Sequence, residues 1–384
     1  MIPLVKDTIS NEELDTLADW LRTHPKLTQG NLTIDYEREW CDYLGNKYCV
    51  SVNSGSSAVM MMLQALLEKG TLNKGDSVIV PAVSWATDLA PVVQLGLTPV
   101  LCDCNNKDLS LDLHHFEELL NQSGPNNHDI KCVVLVSVLG LIPEMDIIVN
   151  MCKNYEVILL EDACESFGSS YGGRKLGTVG EMSCFSTYFG HHISTIEGGI
   201  ISTNDSHLYN ILKAIRSHGW ERDVDPEFRI DKEDTFDSLY RFHYMGFNFR
   251  STDLQAFLGI NQLKTSDEIV RIRNDNYNLY RELIDNPFWN PPKSTHSKFI
   301  SNFAYPVISH NRSKIVSKLI ENDIETRPLI CGSLGRQPFW IKRYGEIHLP
   351  NADKVNDYGF YLPNNHNLTE EEIRTVSSIV MEHI

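Results

Sequence analysis

The chain has no run of about 18 apolar residues, so no helix of it is expected to span a membrane. It is short of positive charge: 34 Lys and Arg against 51 Asp and Glu give a net charge of −17. That balance argues against a nucleic-acid or other polyanion-binding surface. A pocket for one phosphate or diphosphate would still need only a few charges. No CxxC pair occurs among the nine cysteines, and the nearest two, Cys102 and Cys104, fall at an expected strand end. The start, Met1-Ile2-Pro3-Leu4-Val5-Lys6-Asp7, lacks the layout of a signal peptide. An odd, scattered set of thiols then reads as reduced and cytoplasmic, with no metal expected. The Asn-x-Ser/Thr triplets at Asn31, Asn121, Asn311 and Asn367 are, on that reading, chance matches. There is no internal repeat and no low-complexity segment. One further absence is local: no lysine lies between Lys175 and Lys213.

What is present is an ordinary globular composition, 42% apolar and 22% charged, in 384 residues, enough for more than one domain. Helical spacing marks residues 8–24 and 34–44. Residues 48–52 read as a strand, and a helix is expected over 58–67. Further strands are expected at 77–80, 98–102, 132–138, 157–160 and 200–203, with helical stretches at 116–120 and 145–155 among them. Continuous apolar strands alternating with helices predict a mostly parallel sheet covered on both faces, an α/β fold. Ligands then belong at the carboxyl ends of the strands. Residues 221–239 are polar and acidic and read as a mobile surface loop. A long helix is expected from about 254 through Tyr280, followed by a smaller, less regular α+β region. The expected division is a cofactor-binding α/β domain over 1–253 and a small C-terminal domain over 254–384.

The chemistry-bearing residues fall at those strand ends. Asn53-Ser54-Gly55-Ser56-Ser57 lies between a strand and a helix. Its backbone N–H groups and the helix dipole make either a phosphate seat or a plain helix cap. Ser186, which ends a later strand, adds a hydroxyl. Trp85, after the strand ending at Pro81, either packs or lies flat on a planar ligand. Asp162 ends a buried apolar strand and needs a cation partner or a capping role. His191 and His192 sit in the loop that runs to Gly198-Gly199, and histidine moves protons near neutral pH.

Four segments together carry a resemblance. They are Val80-Pro81-Ala82-Val83-Ser84-Trp85, Leu160-Glu161-Asp162-x-Cys164-Glu165-Ser166, His191-His192-Ile193-x-Thr195-x-Glu197-Gly198-Gly199 and His218-Gly219-Trp220-x-Arg222. Arg327-Pro328 and the Asn-His at Asn365 extend it over nearly the whole chain. The sequence resembles the pyridoxal-phosphate sugar aminotransferase family, of fold type I. The resemblance implies an aspartate-aminotransferase-like large domain with a smaller C-terminal one. It implies that Gly55, Ser56 and Ser186 hold the cofactor phosphate, Trp85 stacks on the ring and Asp162 pairs with its nitrogen. Asn248 would reach the phosphate of a neighbouring subunit's cofactor, making a homodimer with shared sites. His218, Arg222, Arg250 and Arg327 would serve the substrate.

Two positions depart from the transaminases. His191 stands where they carry the covalent lysine, and Glu165 where they usually have glutamine. Both departures resemble the dehydratase branch. The resemblance then implies pyridoxamine or pyridoxal phosphate bound noncovalently, with glutamate as amino donor. The implied substrate is a nucleotide-linked 4-keto-6-deoxyhexose, GDP-4-keto-6-deoxy-D-mannose, which loses its C3 hydroxyl to give a 3,6-dideoxy sugar such as colitose. His191 would take a proton from the cofactor's C4′ and deliver one to the departing hydroxyl. An iron–sulphur relative also has histidine here, but no cysteine lies between Cys184 and Cys331 to bind a cluster. A nucleotide-sugar aminotransferase and a non-catalytic homologue without the lysine are the alternative expectations.

Overall fold

The computed structural model describes residues 1–124, 128–230, 232 and 235–384. Its central sheet has seven strands: β1 (Tyr48–Val52), β2 (Ser77–Pro81), β3 (Thr98–Cys102), β4 (Ile130–Val136), β5 (Ile158–Asp162), β8 (Met182–Ser186) and β9 (Gly199–Thr203). A small three-stranded sheet joins β6 (Ser170–Tyr171), β7 (Arg174–Lys175) and β10 (Lys298–Phe299). A third, towards the C-terminus, joins β11 (Tyr305–Ile308), β12 (Arg327–Pro328) and β13 (Gly359–Leu362). The central order is β1-β9-β8-β5-β4-β2-β3. β2 to β5 and β8 run parallel, and β9 lies antiparallel between β1 and β8. The fold is therefore α/β with a mostly parallel sheet, as the alternating pattern predicts.

The helices are α1 (Asn11–Arg22), α2 (Asn31–Leu44), α3 (Gly55–Glu68), α4 (Ala86–Gln94), α5 (Leu113–Asn121), α6 (Met145–Asn154), α7 (Ser206–Arg216), α8 (Asp253–Leu283), α9 (Arg312–Glu321), α10 (Pro338–Tyr344), α11 (Pro350–Tyr358) and α12 (Glu370–Met381). α3 buries Ala58, Met61, Met62, Ala65 and Leu66, a nearly all-apolar surface that fits a helix held between the sheet and α7. α8 opens with a capping box, Thr252 with Gln255, which fixes where its 31 residues begin. No described helix is long and apolar enough to cross a membrane.

Several boundaries differ from the sequence expectation, three of them for a clear local reason. α3 begins at Gly55 because Ser54 caps it, accepting from Ser57 N at 3.1 Å. β4 spans Ile130–Val136, and the apolar residues Val138 and Leu139 beyond it form a buried turn in which Leu139 takes φ 52. Burial of a turn and of a strand look alike in composition. β5 runs to Asp162, so that carboxylate belongs to the strand itself. Among the described residues of 221–239 the regular structure is two short turns of 3₁₀ helix, Pro226–Phe228 and Asp237–Tyr240. Residues 231, 233 and 234 of that expected loop lie outside the described residues.

One buried ion pair ties the cavity-bearing end of β1 to its flanking helices. Glu37 Oε1 on α2 accepts from Ser51 N and Ser51 Oγ on β1, both at 2.8 Å, and from Arg216 Nη1 on α7 at 2.5 Å. Arg216 also donates to Ser51 O at 3.0 Å. Removing one partner leaves a buried cation. Glu37→Ala should therefore cost about 3–5 kcal/mol of unfolding free energy in a denaturant titration. A loss below about 1 kcal/mol would show that water replaces the carboxylate, as at a surface pair.

Candidate active site

The carboxyl ends of β1, β2, β4, β5 and β8 open on one cavity of about 700 Å³, within the range of small-molecule sites. Ser54, Gly55 and Ser56 reach it from the β1–α3 turn. Trp85, Thr87 and Asp88 reach it from the start of α4, Asp162, Cys164 and Glu165 from the end of β5, and Ser186 from the end of β8.

α3 leaves the N–H groups of Gly55 and Ser56 without a helical carbonyl. They lie at the positive end of the helix, beside Ser186. A Cβ at position 55 would stand 2.9 Å from Ser186 Cβ and 3.1 Å from Cys164 Sγ. Only glycine lets the helix start, β8 and β5 close together here. Two N–H donors, the serine hydroxyls and a helix N-terminus make a cradle suited to phosphate oxygens.

The floor is acidic but carries little charge. Asp162 Oδ1 accepts from Cys164 N at 2.8 Å. Glu165 Oε2 accepts from Leu139 N at 2.8 Å. Burial nevertheless pushes Glu165 up to about 8, with Asp162 adding to the shift, so it is a neutral acid that can donate a hydrogen bond. Asp88 is fully buried, and neither of its carboxyl oxygens has a hydrogen-bond partner. Burial first, and Asp162 beside it second, drive its pKa well up. Asp162, Cys164 and Cys184 hold ligand atoms within 4.8 Å of one another, the spacing a metal would need. The thiols are not prepared for one. Cys164 is pushed well up by its contact with Cys184 and by burial. Cys184 is pulled down by Cys164, yet burial and Asp162 take it up to about 12. Neutral thiols are poor metal ligands.

His191 forms part of the wall, in the loop between β8 and β9. That loop is closed on itself by Thr187 N to Gly198 O at 3.0 Å, Thr195 N to Thr187 O at 2.8 Å and Phe189 N to Ile196 O at 3.0 Å. The His191 ring stands 5.2 Å from that of Phe303 and 6.0 Å from that of Tyr188, and its Nδ1 is buried without a partner. Burial lowers its pKa to about 4, with Asp162 opposing and Arg273 reinforcing the shift. The imidazole is thus neutral. His192 points away from the cavity and pairs through Nε2 with Ser301 O at 3.1 Å.

Of the residues singled out from sequence, Gly55, Ser56, Trp85, Asp162, Glu165, Ser186, His191 and Arg327 all line the cavity. Asn248, His218, Arg222 and Arg250 do not. They lie on a strip where Asn248 bridges Ser217, Arg250 bridges Val52, and the Arg222 guanidinium sits 4.3 Å over the Trp220 ring. Trp85 is the N-cap of α4, and 57% of it is exposed at the mouth of the cavity. Sequence reasoning missed Asp88, although it sits three residues after Trp85 in the same helical turn. It also missed Tyr188, Phe303 and Arg273. Tyr188 stood within the histidine motif. Phe303 and Arg273 carry no signal that separates them from other aromatic and basic residues.

A profile described as the DegT/DnrJ/EryC1/StrS aminotransferase family matches residues 7–381. GDP-4-keto-6-deoxy-D-mannose 3-dehydratase of Yersinia pseudotuberculosis is 32% identical over 98% of this chain and 98% of its own length. The protein of the same name from Escherichia coli O55:H7 is 31% identical over 94% of this chain and 95% of its own length. Among solved structures, a GDP-4-keto-6-deoxymannose-3-dehydratase with a trapped PLP-glutamate geminal diamine superposes with a TM-score of 0.91 at 29% identity, covering 99% of this chain and 100% of that one. The mixed α/β fold with its mostly parallel central sheet is that of fold type I sugar aminotransferases, as the resemblance implied.

Asp88 gives the cavity a pH signature that can be read on the cofactor-free protein. Its folded pKa lies above its unfolded one, so its contribution to stability is fully present below the ordinary carboxylate range. That contribution is lost as the pH rises towards the raised value. Asp88→Asn keeps the shape and removes the titration. The variant should therefore gain melting temperature over the wild type at pH 8 relative to pH 5. Parallel pH–stability curves for the two proteins would mean that Asp88 is not held as a neutral acid.

Proposed function

The chain belongs to the DegT/DnrJ/EryC1/StrS aminotransferase family, and from that premise we propose that it is a sugar-nucleotide 3-dehydratase rather than a transaminase. Its substrate is GDP-4-keto-6-deoxy-D-mannose, from which it removes the C3 hydroxyl towards a 3,6-dideoxy sugar of the colitose kind. The observation that carries this reading is the wall of the cavity: it holds a neutral histidine, His191, and no lysine among its described residues. Full-length similarity to two 3-dehydratases supports it.

The residues fit pyridoxamine phosphate held noncovalently. The helix start at Gly55 and Ser56, with Ser186, offers donors to the phosphate. Trp85 offers a face to the ring. Asp162 offers a carboxylate to the pyridine nitrogen, and Glu165 a neutral donor close to it. The unpartnered carboxyl of Asp88 and Nδ1 of His191 are buried polar atoms of the kind a bound ligand satisfies. When bound, the cofactor supplies an amine for the sugar's 4-keto carbon and a ring that stores electrons. His191 takes a proton from the carbon that bears that amine, C4′, and delivers one to the departing C3 oxygen. Tyr188 and Phe303 shield the imidazole from bulk water, which keeps it neutral between those two transfers. Glutamate restores the amine, in keeping with the PLP–glutamate adduct trapped in the related dehydratase.

The cavity of one chain is poorly equipped for a GDP-sugar. Among its described lining residues it presents Asp88, Asp162, Glu165, Glu197 and Glu325 but one arginine, Arg327, which already lies 3.7 Å from Glu325. Asn248, which is exposed outside the cavity, is assigned to the phosphate of a partner's cofactor. His218, Arg222 and Arg250, on the same strip, are assigned to the substrate. The working unit is then a homodimer with shared sites, each protomer divided near residue 253 into a cofactor-binding and a smaller domain. A sugar aminotransferase remains the second reading because the family is named for that activity. The product decides between them.

The test is mass analysis of products from GDP-4-keto-6-deoxy-D-mannose with pyridoxal phosphate and glutamate. Wild type should release ammonia and a sugar that has lost its 3-hydroxyl, and borohydride should leave the protein mass unchanged. His191→Asn should fall by roughly 10²-fold or more, as general acid–base catalysis is lost. His191→Lys should become reducible onto the chain and lose most dehydration. A 4-amino sugar as the main wild-type product would replace this reading with the transaminase.

The shared site has its own test. Asn248→Ala and His191→Ala, each inactive alone, should recover partial activity when refolded together, because a mixed dimer has one site with neither change. Verified mixed dimers without activity would place each site within one chain.

A further inference from the structure

Arg273 lies in the middle of α8 and is 2% exposed, yet no carboxylate among the described residues is within ion-pair distance of it. A buried charge without a counter-charge costs several kcal/mol, so a guanidinium in this position calls for a reason. Its hydrogen bonds supply one. Nη1 donates to Phe303 O at 2.9 Å and to Asn364 O at 2.6 Å, and Nη2 reaches His191 O at 3.5 Å. Nε is buried without a partner. One planar fork thus grips three separate segments: the histidine loop, the strand-free stretch before β11 and the stretch after β13.

Two of the gripped residues, His191 and Phe303, are the ones whose rings face each other at the cavity wall. The His191 ring has no hydrogen bond to hold its Nδ1. Its place is set by its backbone and by the rings of Phe303 and Tyr188. The backbone in turn is set from behind by Arg273, and next to it by His192 on Ser301 O. The same stretch is braced further by Asn364 Nδ2, which donates to Asn302 O at 2.9 Å and to Arg273 O at 3.1 Å.

We propose that Arg273 is the positioning residue of the histidine at the cavity wall, aligning His191 with Phe303 through their carbonyls, its unpaired charge adding to burial in disfavouring a cation there. The proposal rests on the reading of His191 as the base. Arg273 itself touches neither substrate nor cofactor. The charged and titratable groups that face His191 are few. Asp162 on β5 favours the imidazolium and Arg273 on α8 disfavours it. His192 lies next to it, and His366 lies in the stretch after β13 that Arg273 also influences; both are held neutral, chiefly by burial. Asp88, Glu165, Glu197, Glu325 and Arg327 share the cavity. Arginine suits the role because its fork spans several carbonyls and it stays charged when buried.

The experiment is an NMR titration of histidine-labelled protein without cofactor, with the His191 signal identified by its loss in His191→Asn. In the wild type His191 should remain neutral to about pH 4. In Arg273→Gln its titration should move up, because a cation that disfavours the imidazolium is gone while burial remains. Arg273→Lys keeps the charge and loses the fork, so His191 should titrate as in the wild type while kcat for dehydration falls about tenfold or more at unchanged KM. Should the glutamine variant fail to fold, the wild-type titration and the lysine variant still decide. A wild-type His191 titrating in the ordinary histidine range, or an unmoved titration in folded Arg273→Gln, overturns the electrostatic half. Full kcat in Arg273→Lys overturns the positioning half. Full dehydration by His191→Asn would instead sink the reading of His191 as base, and the titrations would remain interpretable without it.

Discussion

The site depends on the register of three strand ends. Val52 on β1 pairs with Gly199 on β9, and Gly199 pairs with Ser186 on β8. One strand further on, Asp162 on β5 pairs with Cys184 on β8. These pairings place the start of α3, the Ser186 hydroxyl and the Asp162 carboxylate in a row, although more than 100 residues separate Gly55 from Ser186. Gly199 is essential to the row, because a Cβ there would collide with Ser54 O and Gly55 N. A slip of one residue would turn every side chain to the other face. Because β9 runs antiparallel to β8, the connection between them stays on the ligand side of the sheet, and that connection carries His191.

Much of this row is legible in the sequence, and the reason is physical. A buried parallel strand must be apolar throughout, so the first polar residue after it marks the carboxyl end where ligands bind. That rule finds the turn Asn53–Ser57 after β1 and Ser84, beside Trp85, after β2, whereas Ser183 interrupts β8 before Ser186 is reached. It finds Asp162 too, though the strand absorbs the aspartate. At β4 the rule points to Ser137, directly after Val136, but apolar residues resume at Val138 and Leu139, and an expected span that runs on to Val138 is displaced by two residues. It says nothing about residues that approach the site from elsewhere. Asp88 reads as an acidic residue in the first turn of a helix, which is a favourable place for one anyway. Arg273 reads as one basic residue in a highly charged helical stretch, Asp267-Glu268-Ile269-Val270-Arg271-Ile272-Arg273. That Arg271 is exposed and paired with Asp275 while Arg273 is buried and unpaired follows from helix rotation and tertiary packing.

The cavity gathers many ionisable groups and holds several of them neutral. Glu165 is a neutral acid, Asp88 is driven the same way, and His191 is a neutral base. The result favours a ligand that brings its own charges, a phosphate at one end and a ring nitrogen at the other. The phosphate end is met by backbone dipoles, which need no counter-charge and do not titrate. On the proposed reading the nitrogen end would be met by Asp162. Asp88 beneath it strengthens the arrangement in one respect: a neutral carboxyl can hold a proton next to Asp162 without adding a second negative charge.

The same surroundings bear on why the identity of residue 191 matters more than the shape of the pocket. Burial and the nearby guanidinium of Arg273 disfavour any cation in that place. An imidazole responds by staying neutral, and as a neutral base it can take a proton and give it back. A lysine would feel the same desolvation and the same repulsion, and its amine would be driven towards the neutral, nucleophilic form. The features that prepare His191 to move protons would therefore prepare a lysine to bond to the cofactor. On the proposed reading, Arg273 and the burial of the loop would provide for either chemistry, and the side chain at 191 would select between them.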